Sequence, residues 1–585
     1  MLCNNSILEM KPDKRWTLKP ADEQIVKSLY EQLQVNPAIC RLLTLRGIND
    51  FEAAKKFFRP ELSDLHDPFL MKGMRKAVDR ISEAIEWHER IMVYGDYDVD
   101  GTTAVAVVYS FLKKNYNGEI TYYLPHRYRE GYGVSRQGID FAHANGYTLV
   151  ITLDCGIKSA ELITYAQSLG IDVIVCDHHL PDKFLPPAVA ILNPKQADCT
   201  YPYKELSGCG IGFKLITALA MEWKQPVENV YPYLDLVATS IAADIVPIDG
   251  ENRVLAYYGI RRINECPCPA IAILKSLGGV TKELVVSDLV FVIGPRVNAA
   301  GRMDDARKAV ELFIETDPEK IITLAASLHS DNDDRREVDK TTTEEALAIL
   351  SEDKDNPLRR STVLYREHWH KGVVGIVASR LIDHYYRPTI VLTSANGKAT
   401  GSARSVSGFN IYEAIHECRE LLDNYGGHFF AAGLTMSTSL VEQFINKFEE
   451  VVAGTITPDQ TVPEINIDAE IPLSLIKPSI YKIIKQFEPF GPANMKPVFM
   501  STQVYDYQGS STVVRDAHLR IVARQENGAI TEGIGFGLGD KYDIVANGPF
   551  DMVYCIEENE HNGVTRLQVK VIDVRKSKLV EGLHN

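Results

Sequence analysis

Three aspartates at alternate positions are the side chains best placed to do chemistry: Asp96, Asp98 and Asp100. They lie in the stretch IMVYGDYDVDGTT, residues 91–103, between two glycines. Carboxylates this close together repel one another unless a cation neutralises them or they retain protons. Because hard divalent cations prefer oxygen ligands, the stretch is compatible with a metal site. A solvated Asp-rich turn is the alternative, since Asp and Gly are ordinary turn residues.

Other acidic and imidazole groups also follow short apolar runs. Residues 148–153 lead into Asp154, and residues 173–176 lead into Asp177-His178-His179. In a parallel sheet the carboxyl ends of the strands share one edge, where open α/β sheets bind ligands. We therefore interpret these groups as a two-metal site, with ions roughly 3.5–4 Å apart, rather than as a buried histidine pair. Asp244 ends a further apolar segment and joins the candidates.

An alternation of strand-like and helix-like segments must position these groups. Strand patterns at 91–94, 119–124, 148–153, 173–176 and 188–192 alternate with helix patterns at 104–112, 134–145 and 159–169. This alternation predicts an α/β fold, with a mostly parallel sheet, helices on both faces and right-handed crossovers.

Four motifs occur in an order that one enzyme superfamily shares. They are GDYDVDG (95–101), LDCG (153–156), DHH (177–179) and AD (243–244), and together they resemble the DHH phosphoesterase superfamily. The stretches DPFLM (67–71), PRVNAAGR (295–302), GGHFFAAG (426–433), PFG (489–491) and PVF (497–499) are similar to those of its single-stranded-DNA-specific exonucleases. The resemblance covers about residues 46–575. DHH alone is a weak motif, whereas the ordered set is specific.

The resemblance implies a full set of site residues and a cofactor of Mn2+ or Mg2+, bound as two ions. The implied catalytic residues are Asp98, Asp100, Asp154, His178, His179 and Asp244, and the implied metal ligands are Asp96, Asp98, Asp100, Asp154, Asp177, His178 and Asp244. Many members carry His where this chain has Tyr94, and Asp96 is the compensating candidate. His179 is the candidate for orienting water or phosphate, and support of a neighbouring ligand is its alternative role.

Predicted substrate contacts come from two further regions. They are Arg296, Asn298 and Arg302 in the segment 294–305, and Arg380, Arg404 and His428, which the resemblance assigns to substrate phosphate. Small residues let the backbone approach a ligand, and Arg forms paired hydrogen bonds with phosphate. For 294–305 the alternative is a tight structural loop with surface arginines.

The chain divides by pattern into five regions. They are an N-terminal helical segment (1–75), a DHH catalytic domain (76–305), a connecting helix (306–355), a DHH-associated domain (356–460) and an OB-like β-barrel (461–585). The two α/β lobes are expected to enclose a cleft too narrow for duplex. Five strand-like segments and the hairpin signals Asn527-Gly and Asn562-Gly favour the barrel. Tyr505, Tyr507 and Phe536 are candidates for base stacking, although a position in the barrel core is the favoured interpretation of each.

Composition narrows the class of protein. The chain has 585 residues, 45% hydrophobic and 24% charged, which is ordinary for a globular protein. Its net charge of −15 argues against indiscriminate coating of nucleic acid. Scattered cysteines, a start without a signal peptide's apolar core and the lack of an apolar run of roughly 18 residues predict a cytoplasmic protein without a membrane partner.

The function that the resemblance implies is metal-dependent 5′-to-3′ hydrolysis of single-stranded DNA to nucleotide 5′-monophosphates, in recombination and repair. Single-stranded DNA, a helicase and a single-strand-binding protein are the expected partners of a monomer. Two alternatives remain open: a phosphoesterase for short oligonucleotides, cyclic dinucleotides or pyrophosphate, and an inactive DNA-binding scaffold. The strand-rich C-terminal region argues against the first, and the complete ligand set argues against the second.

Overall fold

The structure, a computed structural model, describes residues 14–127, 129–303, 305–395, 397–526, 528–561 and 564–578. The chain forms two units. Of the described residues, those in the ranges 14–17, 302–305 and 327–465 form the small unit, and those in the ranges 18–301, 306–326 and 466–578 form the large unit. None of the helices in the described part of the chain is both long enough and apolar enough to cross a membrane.

The first described elements are a short strand and three helices. They are β1 (Arg15–Leu18), α1 (Glu23–Leu33), α2 (Pro37–Thr44) and α3 (Phe51–Phe58). Each helix begins at a polar cap: the side chains of Asp22, Asn36 and Asp50 accept hydrogen bonds from backbone amides of the first turn. The buried faces of α1, α2 and α3 belong to the same hydrophobic core as the C-terminal barrel.

A five-stranded parallel sheet forms the framework of the large unit. Its strands are β2 (Ile91–Gly95), β3 (Ile120–Tyr123), β4 (Leu149–Leu153), β5 (Asp172–Cys176) and β6 (Ala190–Leu192), in the spatial order β3-β2-β4-β5-β6. Every residue of β2 and β4 is buried, which explains why these central strands are continuous apolar runs. The predicted parallel α/β arrangement is confirmed.

The described residues of the region 74–314 also form eleven helices. They are α4 (Met74–Glu86), α5 (Val99–Asn115), α6 (Arg136–Ala144), α7 (Ala160–Ser168), α8 (Gly208–Glu222), α9 (Leu234–Ala243), α10 (Gly250–Glu265), α11 (Pro269–Leu277), α12 (Val286–Asp288), α13 (Gly294–Met303) and α14 (Arg307–Ile314). The alternative interpretation of 294–305 as a tight loop is wrong, because most of it is α13. Its small residues serve close packing: a Cβ atom on Gly301 would lie 2.6 Å from the carbonyl oxygen of Tyr97.

The small unit contains most of a 35-residue helix and a second sheet. Helix α15 (Pro318–Glu352) has residues 318–326 in the large unit and 327–352 in the small unit. The sheet consists of β7 (Thr362–Tyr365), β8 (Thr389–Ala395), β9 (Lys398–Arg404), β10 (Asn424–Gly427) and β11 (Ala431–Ser437), in the order β10-β11-β9-β8-β7, with helices α16 (Val374–His384), α17 (Ile411–His416) and α18 (Val441–Thr455). The sequence did not predict β10, because its two glycines weaken a strand pattern.

A seven-stranded sheet, five strands of which close into a barrel, completes the large unit. After β12 (Glu464–Ile467) come β13 (Ala469–Glu470), α19 (Pro478–Lys485), β14 (Phe499–Asp506), β15 (Thr512–Val514), β16 (His518–Arg524), β17 (Thr531–Gly535), α20 (Tyr542–Ala546), β18 (Phe550–His561) and β19 (Val564–Lys576). Pairing of β14 with both β18 and β16 closes the sheet, so the predicted OB-like barrel is confirmed. The hairpin signals at Asn527 and Asn562 fall on positions outside the described residues.

Candidate metal centre

The loop between β2 and α5 places the first group of carboxylates. Asp98 is the N-cap of α5, and its Oδ1 accepts a hydrogen bond of 3.0 Å from the amide of Gly101. The chain turns tightly here, because a Cβ atom on Gly101 would lie 2.5 Å from the carbonyl oxygen of Asp96. Asp96 is fully buried, and its Oδ2 makes no hydrogen bond with any described residue.

Asp100 is anchored to the start of helix α8. Its carboxylate accepts hydrogen bonds from the amides of Gly208 (2.6 Å) and Cys209 (2.7 Å) and from the hydroxyl of Ser240 (2.7 Å). The N-terminus of a helix carries unpaired amides and a partial positive charge, so it stabilises a buried carboxylate. Through these hydrogen bonds Asp100, which lies on α5, connects this helix to α8 and α9.

Asp154 and Asp244 complete the acidic part of the site from two other segments. Asp154 follows β4 with a positive φ of 59°, and Asp244 is the C-cap residue of α9. The Oδ1 atom of Asp154 is buried and makes no hydrogen bond with any described residue. A left-handed backbone at Asp154 is tolerated because Asp visits this region more readily than most residues.

His178 lies at the centre of these carboxylates. Its Nε2 atom is 3.2 Å from Asp154 Oδ1, 3.5 Å from Asp244 Oδ2 and 3.7 Å from Asp100 Oδ2. Neither ring nitrogen forms a hydrogen bond with a described residue, although the side chain is only 9% exposed. Because buried polar atoms are rarely left without a partner, this arrangement calls for a further ligand.

His179 is held by Asp177 rather than by the central carboxylates. Asp177 Oδ1 accepts hydrogen bonds from the backbone amide (3.0 Å) and Nδ1 (2.7 Å) of His179, and Asp177 Oδ2 accepts one from Ile157 (2.9 Å). On the other side of the ring, Nε2 lies 3.1 Å from the hydroxyl of Tyr132. Asp177 thus has the geometry of a residue that orients His179, in contrast to its implied role as a metal ligand.

Among the described residues, three groups of atoms have the donor set that suits a divalent cation. They are Asp154, His178 and His179; Asp100, His178 and Asp244; and Asp96, Asp98 and Asp154. Within each group the ligand atoms all lie within 4.8 Å of one another. Shared Asp154 and His178 link the groups, as expected for two neighbouring ions. Carboxylate and imidazole donors fit Mn2+ and Mg2+ at this centre.

Electrostatics favour cation binding in the same place. Burial raises the pKa of Asp96, Asp98, Asp154 and Asp244, and repulsion from neighbouring aspartates raises it further. Burial lowers the pKa of His178, although Asp100 attracts its protonated form. Negative charges held close together in a poorly solvated site can all ionise when a cation neutralises them.

Tyr94, at the position where the resemblance would lead one to expect His, makes its hydrogen bonds with the segment 133–135. Its hydroxyl donates to the carbonyl of Gly133 (3.0 Å) and accepts from the amide of Ser135 (3.0 Å). Asp96 also reaches this segment, because the amide of Gly133 donates to its Oδ1 at 3.4 Å. Tyr94 therefore fixes the segment that carries Tyr132.

The candidate substrate contacts in the large unit lie on α13. Arg296 is 7% exposed and donates to the carbonyl of Val292 at 2.7 Å. It is therefore a buried residue, whereas the loop interpretation required a surface arginine. Asn298 Oδ1 accepts a hydrogen bond of 3.2 Å from the amide of Val99, the first residue of α5. Asn298 thus supports the start of the helix that carries Asp100.

The four candidates in the small unit lie on three elements and one loop. Arg302 donates to the carbonyl of Gly372 at 3.2 Å, and Arg404 donates to the hydroxyl of Ser402 at 2.7 Å. Arg380 pairs with the buried carboxylate of Asp339 on α15 at 2.7 Å. His428 is exposed between β10 and β11. Arg380 therefore has an ion-pair role besides the predicted one.

Two aromatic residues that were predicted to lie in the barrel core are exposed. Tyr505 is 48% exposed and Phe536 is 60% exposed, so their assignment to the barrel core is wrong, while Tyr507 is half-buried. The ring of His518 lies edge-on to Phe536 at 5.3 Å, and Lys570 Nζ is 6.0 Å from the ring centroid. An aromatic ring beside a cation is typical of surfaces on which bases of a single strand stack.

We expect Phe536→Ala to raise KM for a long single-stranded oligonucleotide roughly tenfold, because one stacked base contributes about 1–3 kcal/mol. Turnover of a dinucleotide should stay unchanged, because we expect contact with Phe536 only from a strand that extends beyond the nucleotides at the metal centre. Steady-state kinetics on both substrates measure the difference. Trp87→Ala, which removes an aromatic residue 66% exposed at the end of α4, is the matched control. Equal KM values for wild type and Phe536→Ala would refute the stacking role.

Sequence reasoning missed two supporting residues of the site. Ser240 lies inside α9 and donates to Asp100, and Tyr132 contacts His179. The stretch SGCG at 207–210 offered a signal for the helix start that receives Asp100, because Ser is a preferred N-cap residue. No local pattern points from Ser240 or Tyr132 to their partners, which are distant in sequence.

Three segments of the chain match known families. Residues 90–241 match the DHH family, N-terminal domain; residues 360–454 match the DHHA1 domain; and residues 467–573 match the RecJ OB domain. Over 568 residues the chain is 35% identical to the single-stranded-DNA-specific exonuclease RecJ of Bacillus subtilis strain 168, an alignment that covers 96% of this chain and 71% of that protein. The chain belongs to the RecJ family. The predicted resemblance is confirmed.

Further RecJ proteins support this membership. The single-stranded-DNA-specific exonuclease RecJ of Escherichia coli K12 is 32% identical over 92% of this chain and 96% of its own length. The crystal structure of RecJ in complex with Mn2+ from Thermus thermophilus superposes with a TM-score of 0.82 at 27% identity, covering 97% of this chain and 80% of that chain. A complex of RecJ from the same organism with Mg2+ gives a TM-score of 0.77.

Proposed function

We propose that this RecJ-family protein is a divalent-cation-dependent exonuclease that degrades single-stranded DNA from the 5′ end and releases nucleotide 5′-monophosphates. The observation that carries the proposal is the convergence of Asp100, Asp154 and Asp244 within 3.7 Å of one imidazole nitrogen of His178. Relatives with the same family assignment are named single-stranded-DNA-specific exonucleases, and solved RecJ structures contain Mn2+ or Mg2+.

The chemistry of the site is hydrolysis of a phosphodiester by water. Bound Mn2+ or Mg2+ supplies Lewis-acid activation of water and neutralisation of charge on phosphoryl oxygens. Asp96, Asp98, Asp100, Asp154, His178 and Asp244 are the ligands that we assign to these ions. The hydrogen bonds that fix Asp100 to α8 keep its carboxylate in one orientation, which preorganises the centre.

His179 is the residue that we assign to substrate or water. Asp177 accepts from Nδ1 at 2.7 Å and so fixes the orientation of the ring. Its Nε2 atom remains directed toward Tyr132, whose side chain is 55% exposed. From this position a protonated His179 can donate a hydrogen bond from Nε2 to a phosphate oxygen, and a neutral His179 can accept one from the attacking water.

The small unit and the barrel are the parts of the chain to which we assign contacts with the single-stranded DNA. We assign Arg302, Arg404 and His428 of the small unit to phosphate contacts, and the Phe536 surface of the barrel to bases. We further infer that the protein acts in the cytoplasm as a monomer in recombination and repair. A helicase that exposes single strands and a single-strand-binding protein are the partners that such an activity needs.

The direction of degradation is tested with end-labelled oligonucleotides. With Mn2+, we expect a label at the 5′ terminus to appear first in mononucleotide, while a 3′ label persists in shortened strands. A duplex of the same sequence should be degraded at least about tenfold more slowly, since bases that stack on aromatic side chains must be unpaired. Electrophoresis of time points separates the products. Release of the 3′ label first would contradict the proposed polarity.

A further inference from the structure

Ile245 adopts a backbone conformation that a β-branched residue rarely takes. Its φ is +59°, in the left-handed region. Helix α9 ends at Ala243 and Asp244 is the C-cap, so Ile245 occupies the next position, where glycine or asparagine is usual. Among the described residues that combine a positive φ with a side chain, Ile245 is the one with a branched Cβ. Such a residue is a genuine steric outlier.

Burial of the side chain does not offset this strain. Ile245 is 63% exposed, whereas the next residue, Val246, is only 8% exposed. A single exposed apolar side chain is common and needs no explanation by itself. Here, however, glycine or asparagine would relieve the backbone without removing core packing. The requirements of the fold therefore do not account for isoleucine at this position.

The position of Ile245 is next to the candidate metal centre. Asp244 Oδ2 lies 3.5 Å from His178 Nε2, and adjacent Cα atoms are separated by about 3.8 Å. The exposed apolar residue Ile245 therefore comes directly after a candidate ligand of a site built of carboxylates and imidazoles. Strained residues that a structure maintains cluster at active sites and ligand clamps, where the strain is part of the mechanism.

We propose that Ile245 is a substrate-contact residue, whose side chain packs against the apolar surface of the nucleotide that is being released. This inference rests on the proposed exonuclease function. Asp244 and Ile245 are consecutive, so a candidate metal ligand is followed directly by an apolar side chain in a left-handed backbone conformation. A nucleotide held at the centre by its phosphate offers two apolar surfaces, the face of the base and the C2′ side of the deoxyribose. Ile245 stabilises one of these surfaces by excluding water from it.

The test compares Ile245→Asn with wild type. Asparagine suits the left-handed region but lacks the apolar surface, so we expect the melting temperature to rise by about 1–3 °C. We expect KM for a 5′-phosphorylated oligonucleotide to rise about tenfold, the loss that corresponds to one partly buried aliphatic side chain. The value of kcat should change less than about twofold, because the contact stabilises bound substrate and transition state alike.

Two further variants separate the loss of the apolar side chain from the introduction of a polar asparagine. Ile245→Gly also relieves the backbone and removes the apolar side chain, so it should reproduce the higher KM. Ile245→Val keeps a branched apolar side chain and should stay within about threefold of wild type. A KM within twofold of wild type for both the Asn and the Gly variants would overturn the proposal, and so would a fall in melting temperature in both.

Modified substrates identify the surface that is contacted. If Ile245 packs on the base, an oligonucleotide with an abasic 5′-terminal nucleotide should give the same KM with wild type and Ile245→Asn. If it packs on the sugar, the tenfold difference should persist on the abasic strand. A wild-type protein that releases no nucleotide would refute the proposed function itself, whereas an active wild type with unaffected variants would refute only the role of Ile245.

Discussion

Asp154→Ala is expected to lower the rate of single-stranded DNA hydrolysis about a thousandfold or more, because metal-ion stabilisation contributes several kcal/mol to the transition state. The large effect follows from the position of Asp154, which belongs to two of the three candidate metal groups and lies 3.2 Å from His178. Removing it weakens both ion positions at once. The affinity for single-stranded DNA should change little, since the phosphate and base contacts assigned to other residues remain.

Two measurements on purified protein separate these effects. Nucleotide release with Mn2+ gives the catalytic loss, and fluorescence anisotropy with a labelled oligonucleotide gives the affinity. Asp182→Ala is the matched control, because Asp182 is exposed, lies five residues after Asp177 and belongs to none of the candidate groups. Hydrolysis by Asp154→Ala at the wild-type rate would show that the chemistry occurs elsewhere. Loss of both hydrolysis and DNA affinity would show that Asp154 acts through substrate binding.

The sequence predicted the parts of the fold in which local pattern and burial agree. Strands β2 and β4 are buried along their whole length, so they appear as short continuous apolar runs that end in acidic residues. Because parallel strands end at a common edge, the convergence of Asp154 and His178 could be predicted from the sequence alone. Helix α15 was equally clear, since a long run without glycine or proline favours a continuous helix.

Other features depend on contacts between residues that are far apart in sequence. Asp100 accepts from Ser240, 140 positions away, and no pattern near either residue indicates the pair. Asp177 stands in the same short motif as His178, and only the hydrogen bonds that it accepts from His179 and Ile157 indicate that its role is to orient His179. The exposure of Phe536 likewise was not evident from the sequence, because the residue lies just after the end of β17, where the alternation of core-facing and solvent-facing strand residues no longer applies.

The metal-free protein is expected to lose stability as the pH rises, and divalent cations are expected to restore it. The folded-state pKa values of Asp96, Asp98, Asp154 and Asp244 are raised above the ordinary value of 3.8. Above pH 3.8 the unfolded chain therefore releases protons that the folded chain still holds. The stabilising contribution is complete below that pH and is lost as the pH rises through the folded-state values.

Bound Mn2+ should reverse this trend, because it neutralises the ionised carboxylates. At a concentration about 100 times its Kd, a ligand that binds only the folded state adds about 2.7 kcal/mol of stability, which should raise the melting temperature by several degrees. We expect the gain over EDTA to be larger at about pH 8 than at about pH 6, because the ligands must be deprotonated to bind. Thermal unfolding followed by fluorescence measures both series. Asp154→Asn, which removes one of the repelling charges, should melt at a higher temperature than wild type in EDTA and gain less from Mn2+. Identical melting curves with and without Mn2+ at both pH values would be incompatible with a metal centre built on these residues.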